Sequence, residues 1–202
     1  ATSGVLVAGG KRKGKELHQF NSPHGVAIDS DMNLFVADMN NHRVVKWPPD
    51  ATSGVVVAGG NGQGSRRDQL FKPSGVAVDS EQNVFVADSF NHRVVKWVPD
   101  ATSGVVVAGG NGWGSGRHQL GYPVDVAVDS EKNVIVVDKY NHRVMKWVPN
   151  ANSGVVVAGG NGWGAGLDQL KTPHGVAIDS DQNVFVADTR NNRVVKWEPT
   201  AD

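Results

Sequence analysis

Short apolar runs alternate along this chain with polar and glycine-rich stretches, and none has the length or the three-to-four-residue spacing of a helix. Between residues 51 and 100 the runs are Val55 to Ala58, Gly75 to Val78, Val84 to Ala87 and Val94 to Trp97. They are rich in β-branched and aromatic residues, which suit a pleated strand. Turn-formers separate them: Gly59-Gly60-Asn61-Gly62, Asp79 to Asn83, and Asp88 to His92. Several runs are apolar at successive positions, so the strands they predict must be covered on both faces of their sheet.

The pattern repeats every 50 residues. Ala1, Ala51, Ala101 and Ala151 open modules 1–50, 51–100, 101–150 and 151–200 without insertion or deletion. The chain 1–202 therefore reads as a single all-β repeat domain. Each module runs SGVxVAGG, a Gly-rich stretch, Gln, P-x-x-V-A-x-D-S and N-x-x-V-x-D-x-x-N-x-R-V-x-K-W-x-P. Four short strands per module predict a four-stranded sheet, and sheets that must be covered on both faces pack face to face around an axis as the blades of a β-propeller.

The segment V-A-D-x-x-N-H-R-V, Val86 to Val94, resembles the signature of NHL repeats, and the likeness recurs in all four modules. The fourth copy has Asn192 in place of the His, and the third has Val137 in place of the Ala. The resemblance implies an order within each blade: P-x-G-V-A-x-D innermost, then N-x-F-V-A-D, then R-V-V-K-W, with SGVVVAGG outermost. On that order the chain opens with an outermost strand at Val5 to Ala8 and finishes with a third strand. Exposed strand edges template aggregation, so we expect a ring closed by exchange of the N-terminal outer strand. NHL rings usually have six blades, whereas four modules allow a four-bladed monomer, an eight-bladed homodimer, or a chain that is part of something longer.

Charge and composition narrow the functional classes. Lys plus Arg and Asp plus Glu both number 20, which predicts no bulk attraction to nucleic acid or membrane. Cysteine is absent, which excludes thiol chemistry and leaves the compartment open. No apolar run approaches the roughly 20 residues of a membrane helix, so the expectation is a soluble chain.

The modules differ unevenly. Modules two and three differ at 14 of 50 positions, and most of these fall in the Gly-rich loop, the start of the inner strand and the loop after V-A-D. In an up-and-down blade these segments share one face of the disc, while the near-constant K-W-x-P connection lies on the other. The variable face predicts a ligand-binding surface on a fixed scaffold. It presents Arg66, Arg67 and Phe90 from the second module, and Trp113, Arg117, Asp125 and Tyr140 from the third. Trp163, Leu167 and Arg190 come from the fourth, and Lys11, Arg12, Lys13 and Lys15 from the first. Aromatics beside Arg suit a protein, peptide or glycan partner, with nucleic acid less favoured.

Other motifs read as structure. Asp38, Asn41, Arg43 and their copies are expected to brace the hairpin between second and third strands. One Trp per module (Trp47, Trp97, Trp147, Trp197) is expected between blades. GGNGWGSG lacks the Lys-Ser/Thr ending of a phosphate loop, and Asp29-Ser30-Asp31 lacks the closing Glu of a calcium loop. No cofactor is expected. An enzyme alternative rests on a second resemblance: P-V-D-V-A-V, V-V-D-K-Y-N-H-R-V and P-H-G-V-A-I look like motifs of the peptidyl-α-hydroxyglycine amidating lyases. That likeness implies zinc at His174 and proton transfer by Tyr140 in a metal-dependent lyase or hydrolase; His24, at the same place in the first module's inner strand, is expected to approach His174 near the axis with Asp125 nearby.

Overall fold

The computed structural model describes residues 3–10 and 12–199. The first blade is an antiparallel sheet of β1 (Pro23–Ile28), β2 (Leu34–Asp38), β3 (Arg43–Trp47) and β4 (Val55–Gly59). The second contains β5 (Pro73–Val78), β6 (Val84–Asp88), β7 (Arg93–Trp97) and β8 (Val105–Gly109). The third contains β9 (Pro123–Val128), β10 (Val134–Asp138), β11 (Arg143–Trp147) and β12 (Val155–Gly159). In the fourth, β13 (Gly175–Ile178), β14 (Val184–Asp188) and β15 (Arg193–Trp197) make a three-stranded sheet. Each complete blade thus borrows its outermost strand from the next module. The expected four-bladed propeller is present; the expected strand exchange is not seen, because residues 3–10 form no strand and β15 has one neighbour among the described residues.

Turn chemistry sets the strand register. Between β5 and β6, Asp79 accepts N–H bonds from Glu81 and Asn83 at 2.9 Å, and Gln82 takes a left-handed φ of 62°. Such an Asx turn needs no metal, and its copies recur at Asp29, Asp129 and Asp179. On the other face, Met39–Asn41, Ser89–Asn91, Lys139–Asn141 and Thr189–Asn191 are single 3-10 turns between second and third strands. Each ends on a left-handed residue, His42, His92, His142 or Asn192. Asn tolerates that conformation well, which accounts for Asn192 in the fourth copy.

The core lies between blades. One cluster joins Phe35, Ala37, Val44 and Ala58 of the first blade to Leu70, Val76, Val84, Val86, Val95 and Trp97 of the second. Equivalent residues fill the next two junctions. Three of the Trp copies pack between blades as expected, Trp97 and Trp147 within these clusters and Trp197 against the third cluster, whereas Trp47 meets Phe20 of its own module at 5.6 Å. At the axis the inner strands nearly touch. A Cβ on Gly75 would fall 2.6 Å from the Asp125 Cα, so the backbones meet where only glycine fits.

Two blade faces stay uncovered. Val44, Val94 and Val144 are 0 % exposed, whereas the equivalent Val194 is 70 % exposed. At the other end Val26 is 62 % exposed, against 5 % and 4 % for Val76 and Val126. No helix among the described residues is long and apolar enough to cross a membrane.

Candidate binding face

The variable loops are held by one device repeated four times. In the third blade the Arg143 Nε donates to Asp138 Oδ2 at 2.7 Å, while its terminal nitrogens donate to the carbonyls of Ser115, Gly116 and Gln119. Asp138 also accepts the Gly121 N–H and the Asn141 amide, and that amide reaches the Gly114 carbonyl. The expected Asp-x-x-Asn-x-Arg brace is therefore real, and it reaches further than the hairpin. It buckles the Gly-rich loop onto the blade through main-chain carbonyls, so the brace itself makes no demand on the identity of the loop's side chains.

Main-chain bonds then bring the two variable segments together. The N–H groups of Phe90, Tyr140 and Arg190 donate to the carbonyls of Phe71, Gly121 and Lys171. The result is a continuous aromatic strip across the second and third blades. Phe71 and Phe90 have ring centroids 4.8 Å apart, Phe90 and Tyr122 5.1 Å, Tyr122 and Tyr140 5.2 Å, and Tyr140 and Trp113 5.5 Å. His42 meets Phe71 at one end and His92 meets Trp113 at the other. Phe90, Trp113 and Tyr140 are exposed.

Lysines alternate with the rings. The Lys72 ammonium sits 5.1 Å from the Phe90 centroid, and Lys139 sits 5.7 Å from Tyr122 and 5.4 Å from Tyr140. Lys171 lies 4.4 Å over Trp163. These are cation–π distances. Burial, with the Arg190 charge nearby, pushes the Lys139 ammonium below its ordinary range, and burial raises the Tyr122 phenol.

Of the residues expected from sequence, Phe90, Trp113 and Tyr140 converge on the strip, and Arg190 adds charge beside Lys139. Trp163 pairs with Lys171. Arg66 forms an exposed ion pair with Asp68 inside its own loop. The main-chain carbonyls of Arg67 and Arg117 accept the N–H groups of Gly104 and Gly154, just before the outermost strands, which puts both residues at the rim. Leu167, Arg12, Lys13 and Lys15 are exposed, and Lys11 lies outside the described residues. Sequence reading missed Phe71, Tyr122 and the lysines that cap the rings. Their signal was the pair before each conserved proline, which reads Asn-Ser, Phe-Lys, Gly-Tyr and Lys-Thr in turn.

Asp125 has a structural task as well. Its Oδ2 accepts the Val176 N–H at 3.0 Å and ties the third blade to the fourth. Burial pushes its carboxyl up, against N–H bonds from Val176 and Val126 and the charge of His24. His24 and His174 are both exposed, and burial first, then the Lys139 charge, pushes the His174 imidazole below its ordinary range. Among the described residues no group of three or more His, Asp or Glu is arranged to hold a metal ion. With one Asp125 oxygen already engaged, this pair does not fit the zinc that the lyase likeness implies.

The module histidines join blades. His42 Nδ1 accepts the Lys72 N–H at 3.1 Å and His142 Nδ1 accepts the Thr172 N–H at 3.2 Å, so both act as neutral acceptors. Burial pushes both imidazoles below their ordinary range, helped at His42 by Lys72 and opposed by neighbouring Asp. The unfolded chain therefore takes up protons first as pH falls. Stability contributed by these histidines is complete above the unfolded value of about 6.5 and is lost below it. Urea melts from pH 7.5 downward should show this decline, and His142→Asn, which mimics module four, should shrink it. An unchanged slope in that variant would assign the decline to another imidazole that burial lowers, such as His92, because the buried Asp88 and Asp138, whose carboxyls burial raises, act in the opposite direction.

Residues 20–47, 72–97, 120–147 and 170–197 match the NHL repeat family, which covers more than half of the chain. No curated protein matches it. Among solved structures, a chain of a nidogen–laminin complex is 22 % identical with a TM-score of 0.67, over 88 % of this chain and 59 % of its own. A gluconolactonase from Xanthomonas campestris is 16 % identical with a TM-score of 0.67, over 89 % of this chain and 59 % of its own. An auxiliary nutrient binding protein from Bacteroides thetaiotaomicron is 15 % identical with a TM-score of 0.67, over 90 % and 49 % respectively. The chain thus spans about three fifths of the first two structures, and these similarities describe the fold.

Proposed function

The chain belongs to the NHL repeat family, and from that premise we propose that it is a binding scaffold whose aromatic–lysine strip takes an acidic, aromatic-bearing segment of a partner protein. The supporting observation is the unbroken run of rings from Phe71 to Trp113 with single ammonium groups set over it. Rings spread over two blades offer apolar area at low entropic cost, and isolated lysines between them suit carboxylates spaced by apolar side chains. A nucleic acid carries a phosphate at every nucleotide and calls for a contiguous basic track. Here basic and acidic residues balance at 20 each.

Main-chain buckling supports the same reading, since the surface is formed before any ligand arrives and little ordering cost remains. Ring closure by exchange of the N-terminal outer strand belongs to this reading too, supported by the unpaired edge of β15. Calorimetric titration with a random Glu–Tyr copolymer, a heparin oligosaccharide, an oligo-uridylate and polylysine tests the assignment. The copolymer is expected to bind most tightly. Preference for heparin or oligo-uridylate would move the site to a glycan or RNA, and silence with all four would remove the strip as a binding surface.

A further inference from the structure

On the face opposite the aromatic strip, the outermost strand of one blade and the Asx turn of the next leave a groove between them. It measures about 230 Å³ between the first and second blades and about 440 Å³ between the second and third. The larger groove lies between internal blades, each packed against a neighbour on both sides. Its floor is the buried pair Phe85 and Val134. Its walls are Val98, Val105 and Val106 of the second blade and Val148 of the third, all of them exposed.

The two grooves carry different charge. The smaller is lined by one ammonium and one carboxylate, Lys46 and Asp100, and the Lys46 Nζ donates to Gln82 Oε1 at 3.2 Å. In the larger, Lys132 stands in the place of Gln82 and Asn150 in the place of Asp100. Its lining therefore holds two ammonium groups, Lys96 and Lys132, and among the described residues no carboxylate. Lys132 reaches out of the groove to Asp79 and Glu81, at 3.4 and 3.3 Å. Lys96 is half-buried with its ammonium 5.5 Å from the Phe85 centroid, and among the described residues no oxygen accepts its protons.

We propose that the groove between the second and third blades is a second binding site, separate from the strip, for a small carboxylic acid with an apolar body. The carboxylate pairs with the Lys96 ammonium, and the body lies along the exposed valines. The argument is charge complementarity. Relative to the smaller groove, two substitutions take away an acceptor and an acid and leave the lysine where it was. A half-desolvated ammonium without an acceptor is costly, and a carboxylate answers it with a charge-assisted hydrogen bond. One free ammonium suits one carboxylate, and a mostly apolar concavity of this volume with a single polar anchor is the usual form of a small-molecule site.

Octanoate and its neutral isostere octanamide, titrated against valine methyl NMR signals, test the site. Octanoate should give saturable shifts at Val105, Val106 and Val148 and leave Val55, in the smaller groove, unmoved. Octanamide should bind about tenfold more weakly, and so should octanoate to Lys96→Met, which keeps the apolar stem and removes the charge. Lys132→Gln and Asn150→Asp copy residues that the second module already carries at these positions, so both variants should fold. The first hands Lys96 an acceptor and the second sets a carboxylate in the groove, and each should weaken octanoate. Equal binding of acid and amide, equal shifts at Val55, full affinity in Lys96→Met, or no saturable shift at all would each overturn the site.

Discussion

Replacing Arg143 by alanine should cost about 3–5 kcal/mol of stability, and replacing Arg193 in the same way markedly less. Arg143 is nearly inaccessible, its Asp138 partner is fully buried, and three loop carbonyls depend on its guanidinium. Truncation leaves a buried carboxylate without its charge partner and carbonyls without a donor, and unmet groups of that kind carry the larger penalty. Arg193 makes the same bonds with its side chain 24 % exposed, so water can replace what is lost. Urea unfolding of both variants measures the difference. A matching loss at the two positions would show that covering by the neighbouring blade contributes little. Arg143→Lys should fail to rescue, because an ammonium cannot present the planar fork that reaches one carboxylate and three carbonyls.

The sequence carried the blades clearly because every strand is covered twice. A run such as Val84-Phe85-Val86-Ala87 buries both faces, and that demand shows as unbroken apolar residues at a fixed 50-residue period. The Asp-x-x-Asn-x-Arg brace was equally legible, since its partners lie within a few residues of one another. Its reach into the Gly-rich loop was not, because the acceptors are main-chain carbonyls, which leave no mark on residue identity. Phe71 meets Phe90 within its own blade and Tyr122 meets it from the next, through contacts between residues distant in sequence. Arg67 and Arg117 looked like face residues by loop membership, yet their loop folds along the side of the blade and delivers them to the rim. The uncovered ends were hidden for another reason: repeated modules look alike in sequence whether or not a neighbour is there to cover them.

The strip makes its own demand on the binding experiment. Tyr140→Ala and Trp113→Ala should each weaken the Glu–Tyr copolymer by about 2 kcal/mol, roughly thirtyfold, the scale of an aromatic hot spot. Tyr140 touches Trp113, Tyr122 and Lys139 together, so its removal strips the lysine of one of its two rings as well as the ligand of its contact. Tyr140→Phe keeps ring and stacking and should bind nearly as well, whereas a ligand held by a hydrogen bond to that phenol would make Phe as damaging as Ala. Lys139→Ala should lower affinity less at high salt than at low salt, because its contribution is electrostatic and screened. Arg67→Ala, at the rim, should change nothing measurable. If Arg67 and Tyr140 proved equally costly, the ligand would lie along the Gly-rich loops, and the aromatic strip would be reduced to packing between the second and third blades.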